Sequence, residues 1–307
     1  MPKNLETFQH RKRRGFMKSQ KDSYWSNLID KKRIIIKVGS STLLHKETGY
    51  IDLHKLEQLA RQICDIKNAG KEVILVSSGA VAVGRKELGI DKKPKTLAEK
   101  QACAAVGQCH LMTYYQKMFS EYHQLAAQAL ITKIGLLAGH CLNNVKNTFA
   151  SLLEMGTVPI VNENDVVSPE EIVFGDNDTL SAIVSILTQA DLLIILTDID
   201  GLYTGNPSQD TTAQRIDLVL EDKKELYQMA TNSSDSDVGT GGMLTKVKAA
   251  QLAGDAGIDT VIASGNDIHI LHDILQGKSS GTLFVSHPKK HFSLENYLRE
   301  ESIHETD

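Results

Sequence analysis

Several features that mark particular classes of protein are missing from this 307-residue chain. Its four cysteines include no Cys-x-x-Cys pair, and their mostly apolar, helix-like contexts are typical of free buried thiols in a reduced, cytoplasmic protein. No apolar run approaches the roughly 20 residues needed to cross a bilayer. The formal net charge of −4 gives no reason to expect a nucleic-acid or membrane-surface partner. These absences together predict a soluble cytoplasmic protein without either partner.

Two common phosphate-binding signatures are absent as well. The run from Gly239 to Leu244 ends in leucine where the dinucleotide pattern G-x-G-x-x-G requires glycine, and no G-x-x-x-x-G-K-[ST] occurs. The helically spaced pair His269 and His272 has only Asp267 and Asp273 nearby as further candidate metal ligands. The sequence therefore disfavours Rossmann-type and Walker-type nucleotide sites and assigns no metal to protein ligands.

What the chain does contain is a regular alternation of strand-like and helix-like segments from Arg33 onward. Repeated units of this kind predict one α/β domain with a mainly parallel sheet and helices on both faces. We divide the chain into a polar leader over residues 1–30, a folded domain over residues 31–286 and a polar surface tail over residues 287–307. The leader's basic cluster, Arg11–Arg14, leaves a localisation or nucleic-acid tag as the alternative to a segment that packs nowhere.

Acidic and amide side chains gather in two short runs, NEND at residues 162–165 and GDND at residues 175–178. The first follows a strand-like run, and the second opens a helix predicted over residues 179–190 with Asn177 or Asp178 as its N-cap. Ligands bind at the carboxyl ends of parallel strands, so these runs predict the wall of a pocket. Two ordinary polar turns are the alternative.

Two lysines occupy unfavourable places. Lys37 ends an Ile/Val strand where a buried ammonium needs a charged partner, and Lys246 lies in the first turn of a helix, where the helix dipole disfavours a cation. Lys248 points to another face of that helix and is expected to be solvated. The two misplaced lysines and the carboxylate cluster predict a phosphoryl-transfer site, with snorkelling side chains as the alternative.

Six motifs taken together resemble the glutamate 5-kinases, a family of the amino acid kinase superfamily. They are KVGSS at 37–41, SSGAVAVGR at 77–85, VNENDVV at 161–167, FGDNDTLSA at 174–182, LTDIDGLYTGNP at 196–207 and GTGGMLTKVKAA at 239–250. The resemblance covers about residues 33–286 and is specific, because related kinases of the superfamily are not expected to carry NEND with GDND. The chain ends soon after Phe284, and so resembles a short form without the C-terminal PUA domain.

The resemblance implies a three-layer αβα sandwich and transfer of the γ-phosphoryl group of ATP to the side-chain carboxylate of L-glutamate, with Mg²⁺ as partner of the nucleotide. The product would be glutamate 5-phosphate, in the first step of proline biosynthesis. A cytoplasmic homo-oligomer subject to feedback inhibition by proline is also implied. The alternatives are another amino acid kinase acting on a related carboxylate, and a non-catalytic amino-acid or nucleotide sensor on the same fold.

The resemblance also implies roles for individual residues. Lys37 and Lys246 would neutralise the transferring phosphoryl group, and Asp176 would orient both lysines. Glutamate would be bound by Ser78, Asn162, Asp165 and Asn177. The nucleotide would be bound by Lys37, Gly39, Thr197, Asp198, Thr240, Gly241, Gly242, Met243, Leu244, Thr245 and Lys246. Glu163, Asn164 and Asp178 are expected to be turn and cap residues only, and Mg²⁺ to be held mainly through ATP.

Elementary chemistry agrees with this assignment. A carboxylate acceptor with a pKa of about 4.3 is already ionised at neutral pH, so the reaction needs no general base. It needs cations and backbone amides that let two anions approach each other, and an ionised Asp165 suits the substrate's ammonium group.

Overall fold

The computed structural model describes residues 21–137, 139–168, 176–220, 224–232 and 242–304. Its strands are β1 (Arg33–Val38), β2 (Glu72–Ser77), β3 (Ala126–Ile131), β4 (Val158–Glu163), β5 (Leu192–Thr197), β6 (Leu218–Val219), β7 (Asp259–Ser264) and β8 (Thr282–Phe284). Its helices are α1 (Ser40–Leu43), α2 (Leu53–Asn68), α3 (Ala80–Glu87), α4 (Leu97–Ser120), α5 (Lys133–Leu137), α6 (Gly139–Glu154), α7 (Asn177–Leu187), α8 (Lys224–Asn232), α9 (Met243–Asp255), α10 (Ile270–Leu275) and α11 (Leu294–His304). A short 3₁₀ helix, Asn27–Asp30, precedes β1.

The strands form one eight-stranded sheet in the order β3-β4-β2-β1-β5-β7-β8-β6. β7 and β8 run antiparallel, and the other neighbouring strands are parallel. The β-branched run of β1 lies at the centre and is buried on both faces, as expected for a parallel strand covered by helices. Ile35 belongs to the apolar core on one face, and Ile34 and Ile36 to the core on the other. The predicted α/β sandwich with a mainly parallel sheet is confirmed.

Both ends of the described chain pack more closely than we predicted. Trp25 and Leu28 are fully buried in the same core as Ile34, so residues 21–30 do not belong to a free leader. Near the other end, Leu294 and Leu298 of α11 pack into the opposite core, so the expectation of a surface tail is wrong there. In both segments the apolar residues are few and lie among charged ones, so the sequence shows no helical periodicity that would have predicted their burial.

The basic cluster Arg11–Arg14 lies outside the described residues. Within the part of the chain that the structure describes, no helix is long and apolar enough to span a membrane.

Helices α3 and α4 touch through their backbones at two glycines. A Cβ at Gly84 would lie 1.8 Å from the carbonyl oxygen of Cys103, and a Cβ at Gly107 would lie 1.8 Å from that of Ala80. Gly107 directly precedes Gln108, so this contact determines where α4 presents Gln108 to the sheet.

We expect Gly84→Ala to lower the free energy of unfolding by about 3 kcal/mol, because two helix backbones must separate to admit the methyl group. Gly70→Ala is the comparison: Gly70 has φ +86° and nothing near the added Cβ, so only backbone strain of about 1 kcal/mol is expected. Urea unfolding of both variants measures the difference. Equal losses would mean that the helices adjust freely.

Candidate active site

The candidate site lies where the central parallel strands end. Val38 at the end of β1 is in register with Ser77 of β2 and Leu196 of β5, so the carboxyl ends of these strands lie side by side. The backbone N–H of Ser78 donates to the carbonyl of Val38 at 3.1 Å, which ties the two strand ends together. The predicted site residues that this edge brings into proximity are Lys37, Ser78, Asn162 and Thr197.

Two buried lysines share one buried carboxylate. The Nζ atom of Lys37 lies 2.6 Å from Asp178 Oδ1, and Nζ of Lys246 lies 3.2 Å from Asp178 Oδ2. Thr245 Oγ1 also donates to Oδ2, at 2.9 Å. The side chain of Asp178 is 0% exposed and the lysine side chains are 7% and 6% exposed. Two ammonium groups therefore share one buried carboxylate.

This arrangement corrects our expectation that Asp178 is only a turn or cap residue. Helix α7 starts at Asn177, two residues before the predicted start, and its N-cap is Asp176, not Asn177 or Asp178. Asp176 Oδ1 accepts from the backbone N–H of Thr179 at 2.8 Å. The earlier start places Asp178 in the first turn, where its carboxylate contacts both lysines directly.

The two carboxyls at the start of α7 differ in acidity. Burial by itself would raise the pKa of Asp178, but the ammonium groups of Lys37 and Lys246 hold that pKa below its usual value. Burial raises the pKa of Asp176, and the negative charge of Asp178 adds to the rise. Asp178 is therefore the carboxylate that is firmly ionised between the lysines.

A chain of amide and hydroxyl hydrogen bonds forms the other half of the site. Asn177 Nδ2 donates to Ser78 Oγ at 2.8 Å and to Asn162 Oδ1 at 2.9 Å. Asn162 Nδ2 in turn donates to Gln108 Oε1 at 3.0 Å. The side chains that we predicted from three separate motifs thus form one connected group, adjacent in sequence and in space to the Asp178 ion pairs.

Asp165 lies two residues beyond β4 and is half-buried. Burial raises the pKa of its carboxyl. Among the described residues, no side chain or backbone group forms a hydrogen bond or ion pair with it, so its carboxylate is available to a cation from outside.

The residues that we predicted for the nucleotide lie on β5, before α1 and before α9. Thr197 ends β5, and its Oγ1 donates to Asp198 Oδ1 at 3.1 Å. Gly39 and Gly242 are the N-caps of α1 and α9. Met243, Leu244, Thr245 and Lys246 form the first turn of α9. Thr240 and Gly241 lie outside the described residues. In the described ranges, no cluster of three or more His, Cys, Asp or Glu side chains is arranged to hold a metal ion.

Sequence reasoning missed Gln108 altogether. Gln108 lies on the buried stripe of α4 with Ala104, Leu111 and Tyr115, and is itself only 8% exposed. A polar side chain on an otherwise apolar stripe is the signal that would have indicated a buried partner.

Comparison with known proteins now identifies the family. The model of the amino acid kinase family matches residues 32–264. A glutamate 5-kinase of Carboxydothermus hydrogenoformans is 52% identical over 259 residues, which are 84% of this chain and 69% of that protein. A glutamate 5-kinase of Clostridium perfringens is 51% identical over 263 residues, 84% of this chain and 97% of that protein. The chain belongs to the glutamate 5-kinases.

Solved structures place this glutamate 5-kinase chain in the same fold as more distant kinases. A carbamate kinase from Giardia lamblia bound to AMP-PNP aligns with a TM-score of 0.59 at 19% identity, over 84% of this chain and 100% of that one. An isopentenyl phosphate kinase aligns with a TM-score of 0.58 at 19% identity, over 82% of this chain and 100% of that one. At these identities the likeness concerns the fold alone.

Proposed function

We propose that this site performs the ATP-dependent phosphorylation of the side-chain carboxylate of L-glutamate, giving glutamate 5-phosphate in the first step of proline biosynthesis. The observation that carries the proposal is the buried pair of ammonium groups, Lys37 and Lys246, on either side of Asp178. A polyphosphate and a carboxylate repel each other, so a transfer between them needs fixed positive charge at the meeting point. The two ammonium groups, held where water is scarce, supply it.

On the phosphoryl side, Lys37 and Lys246 neutralise the negative charge that spreads over the transferring group. Asp178 holds both ammonium groups in place. Asp176 assists as a positioning residue, because it caps α7 and so holds Asp178 in the first turn. ATP is bound by Gly39, Thr197, Asp198 and the residues of the run Thr240–Lys246.

The charges of the site fit Mg²⁺ that arrives with the nucleotide. Asp178 is committed to two lysines, so the phosphates of ATP are the main ligands for the metal. When bound, Mg²⁺ neutralises charge on the β- and γ-phosphates.

On the acceptor side, glutamate is bound by Ser78, Asp165 and Asn177, with Asn162 in support. The half-buried carboxylate of Asp165 meets the substrate's ammonium group. The acceptor carboxylate is ionised at neutral pH, so the protein's task is to align it with the γ-phosphorus, not to remove a proton.

The remaining proposals concern inhibition by proline, cellular location, oligomeric state and partners. Proline shares a carboxylate and an ammonium-type nitrogen with glutamate, which supports competition at the glutamate pocket. The family resemblance supports a cytoplasmic homo-oligomer. The formal net charge of −4 supports the expectation of neither nucleic-acid nor membrane partners.

A substrate panel tests the activity. With ATP and Mg²⁺, we expect acyl phosphate, trapped as a hydroxamate, with L-glutamate and far less with L-aspartate or N-acetylglutamate. Added proline is expected to raise the apparent KM for glutamate. Product with N-acetylglutamate or aspartate alone would indicate another amino acid kinase. Nucleotide binding without turnover would indicate a sensor.

A further inference from the structure

The side-chain amide of Asn162 is held in one orientation by a hydrogen bond at each end. The backbone N–H of Glu163 donates to Asn162 Oδ1 at 2.9 Å. A backbone N–H can only donate, so the atom it meets must be the carbonyl oxygen of the Asn162 amide. Asn162 Nδ2 is then directed at Gln108 Oε1, 3.0 Å away. The orientation of this amide is thus fixed at one end by Glu163 and at the other by Gln108.

This orientation passes to the next residues in the network. Because Asn162 presents its oxygen, Asn177 must approach it with Nδ2, which also donates to Ser78 Oγ. The carbonyl of Ser77, at 3.4 Å, is a third acceptor for the same nitrogen. Both protons of Asn177 Nδ2 are therefore used within the protein.

What remains for a ligand is one acceptor and one donor. In the described part of the chain, no group donates to Asn177 Oδ1, and none accepts from the hydroxyl of Ser78. Asn177 can accept a hydrogen bond from a substrate ammonium group, and Ser78 can donate one to a substrate carboxylate. If the network were reversed, Asn177 would present a donor to the substrate ammonium group and Ser78 an acceptor to the substrate carboxylate, and both contacts would be repulsive.

We propose that Gln108 is a positioning residue that, together with the backbone N–H of Glu163, holds Asn162 in this orientation and thereby makes the site prefer an α-amino acid over a plain dicarboxylic acid. The inference rests on the proposed function and deepens it. Gln108 Oε1 is the acceptor for Asn162 Nδ2 among the described residues, and Asn162 is only 4% exposed. Without this acceptor the buried Nδ2 is left unsatisfied and the amide is held only at its Glu163 end, so it rotates in part of the molecules and takes Oδ1 away from Asn177.

The test compares L-glutamate with glutarate, which has both carboxylates but no ammonium group. The quantity measured is the ratio of kcat/KM for the two acceptors. In Gln108→Met, which keeps the size and removes the acceptor, we expect the ratio to fall about tenfold, as when one hydrogen bond to a charged group is lost. Gln108→Glu keeps an acceptor facing Asn162, so its ratio is expected to stay within about threefold of the wild-type value.

The control is Gln116→Met, the same change at an exposed position of α4. Gln116→Met is expected to leave the ratio unchanged.

If Gln108→Met does not fold, Gln108→Ala is used in its place. Water that fills the space can donate as well as accept, so it does not restore the polarity, and the ratio should still fall.

A loss of kcat/KM that is equal for glutamate and glutarate would overturn the inference, because a merely structural role affects both acceptors alike. An unchanged ratio in a folded Gln108→Met variant would overturn it too. Failure of the proposed function looks different, since the wild-type protein would then form no acyl phosphate from glutamate.

Discussion

Replacement of Asp178 by asparagine is expected to lower kcat at least about a hundredfold and the free energy of unfolding by about 3–5 kcal/mol. Asparagine keeps the shape of the side chain but removes the charge that Lys37 and Lys246 share. The two buried ammonium groups then lose the carboxylate that they share, and their repulsion displaces both from the positions that meet the phosphoryl group. Turnover by the hydroxamate assay and stability by urea unfolding measure the two effects separately.

The same variant is expected to bind ATP more tightly than the wild-type protein does. In the wild-type protein the triphosphate competes with Asp178 for the two ammonium groups, and the variant lacks that competing carboxylate. Isothermal titration with a non-hydrolysable ATP analogue measures this. Weaker binding together with normal turnover would contradict the role assigned to Asp178.

Asp176→Asn is the matched comparison at the start of the same helix. Asparagine is as good an N-cap as aspartate, so we expect little change in stability. Turnover should fall less than in the Asp178 variant, since Asp178 contacts both lysines directly whereas Asp176 acts on Lys37 at longer range. A larger loss of turnover in the Asp176 variant would assign the direct role to that residue instead.

Acid should remove the stability that Asp178 contributes. Its pKa is lower in the folded protein than in the unfolded chain, so the contribution is fully present above the unfolded value of about 3.9. It is lost as the pH falls through the lower folded value. The difference in unfolding free energy between wild type and Asp178→Asn should therefore be constant near neutrality and shrink in acid.

The fold and the positions of the two lysines could be predicted from local sequence. The runs of Ile and Val in β1 and Leu and Ile in β5 indicate buried parallel strands, and parallel strands end at one edge. Lys37 and Lys246 were expected to need an anion because neither a buried strand nor a helix N-terminus suits a cation. The structure provides that anion within the protein.

Which aspartate of GDND caps the helix and which contacts the lysines could not be predicted, because it depends on where α7 begins. A start at residue 179 leaves Asp178 as a cap, whereas the actual start at Asn177 turns its side chain toward the lysines. Element boundaries depend on tertiary contacts that no short window contains. Gln108 was missed for a similar reason, since its partner Asn162 lies 54 positions away in the chain.

Replacement of Lys246 by methionine should lower kcat by about a hundred- to a thousandfold and change the KM for glutamate only a few-fold. Lys246 acts on charge that develops during transfer, so its loss affects the transition state more than the bound substrate. Lys248→Met is the matched control, because Lys248 is exposed on the same helix and its loss should not change kcat.

Asp165→Asn should show the reverse pattern, with a raised KM for glutamate and a smaller effect on kcat, because Asp165 meets the ammonium group in ground state and transition state alike. Steady-state kinetics with both substrates varied separates the two patterns. Similar changes of kcat and KM in both variants would mean that the lysine and the carboxylate do not have separate roles. A normal KM in Asp165→Asn would place the substrate's ammonium group elsewhere, with Asn177 as the remaining acceptor on this side of the pocket.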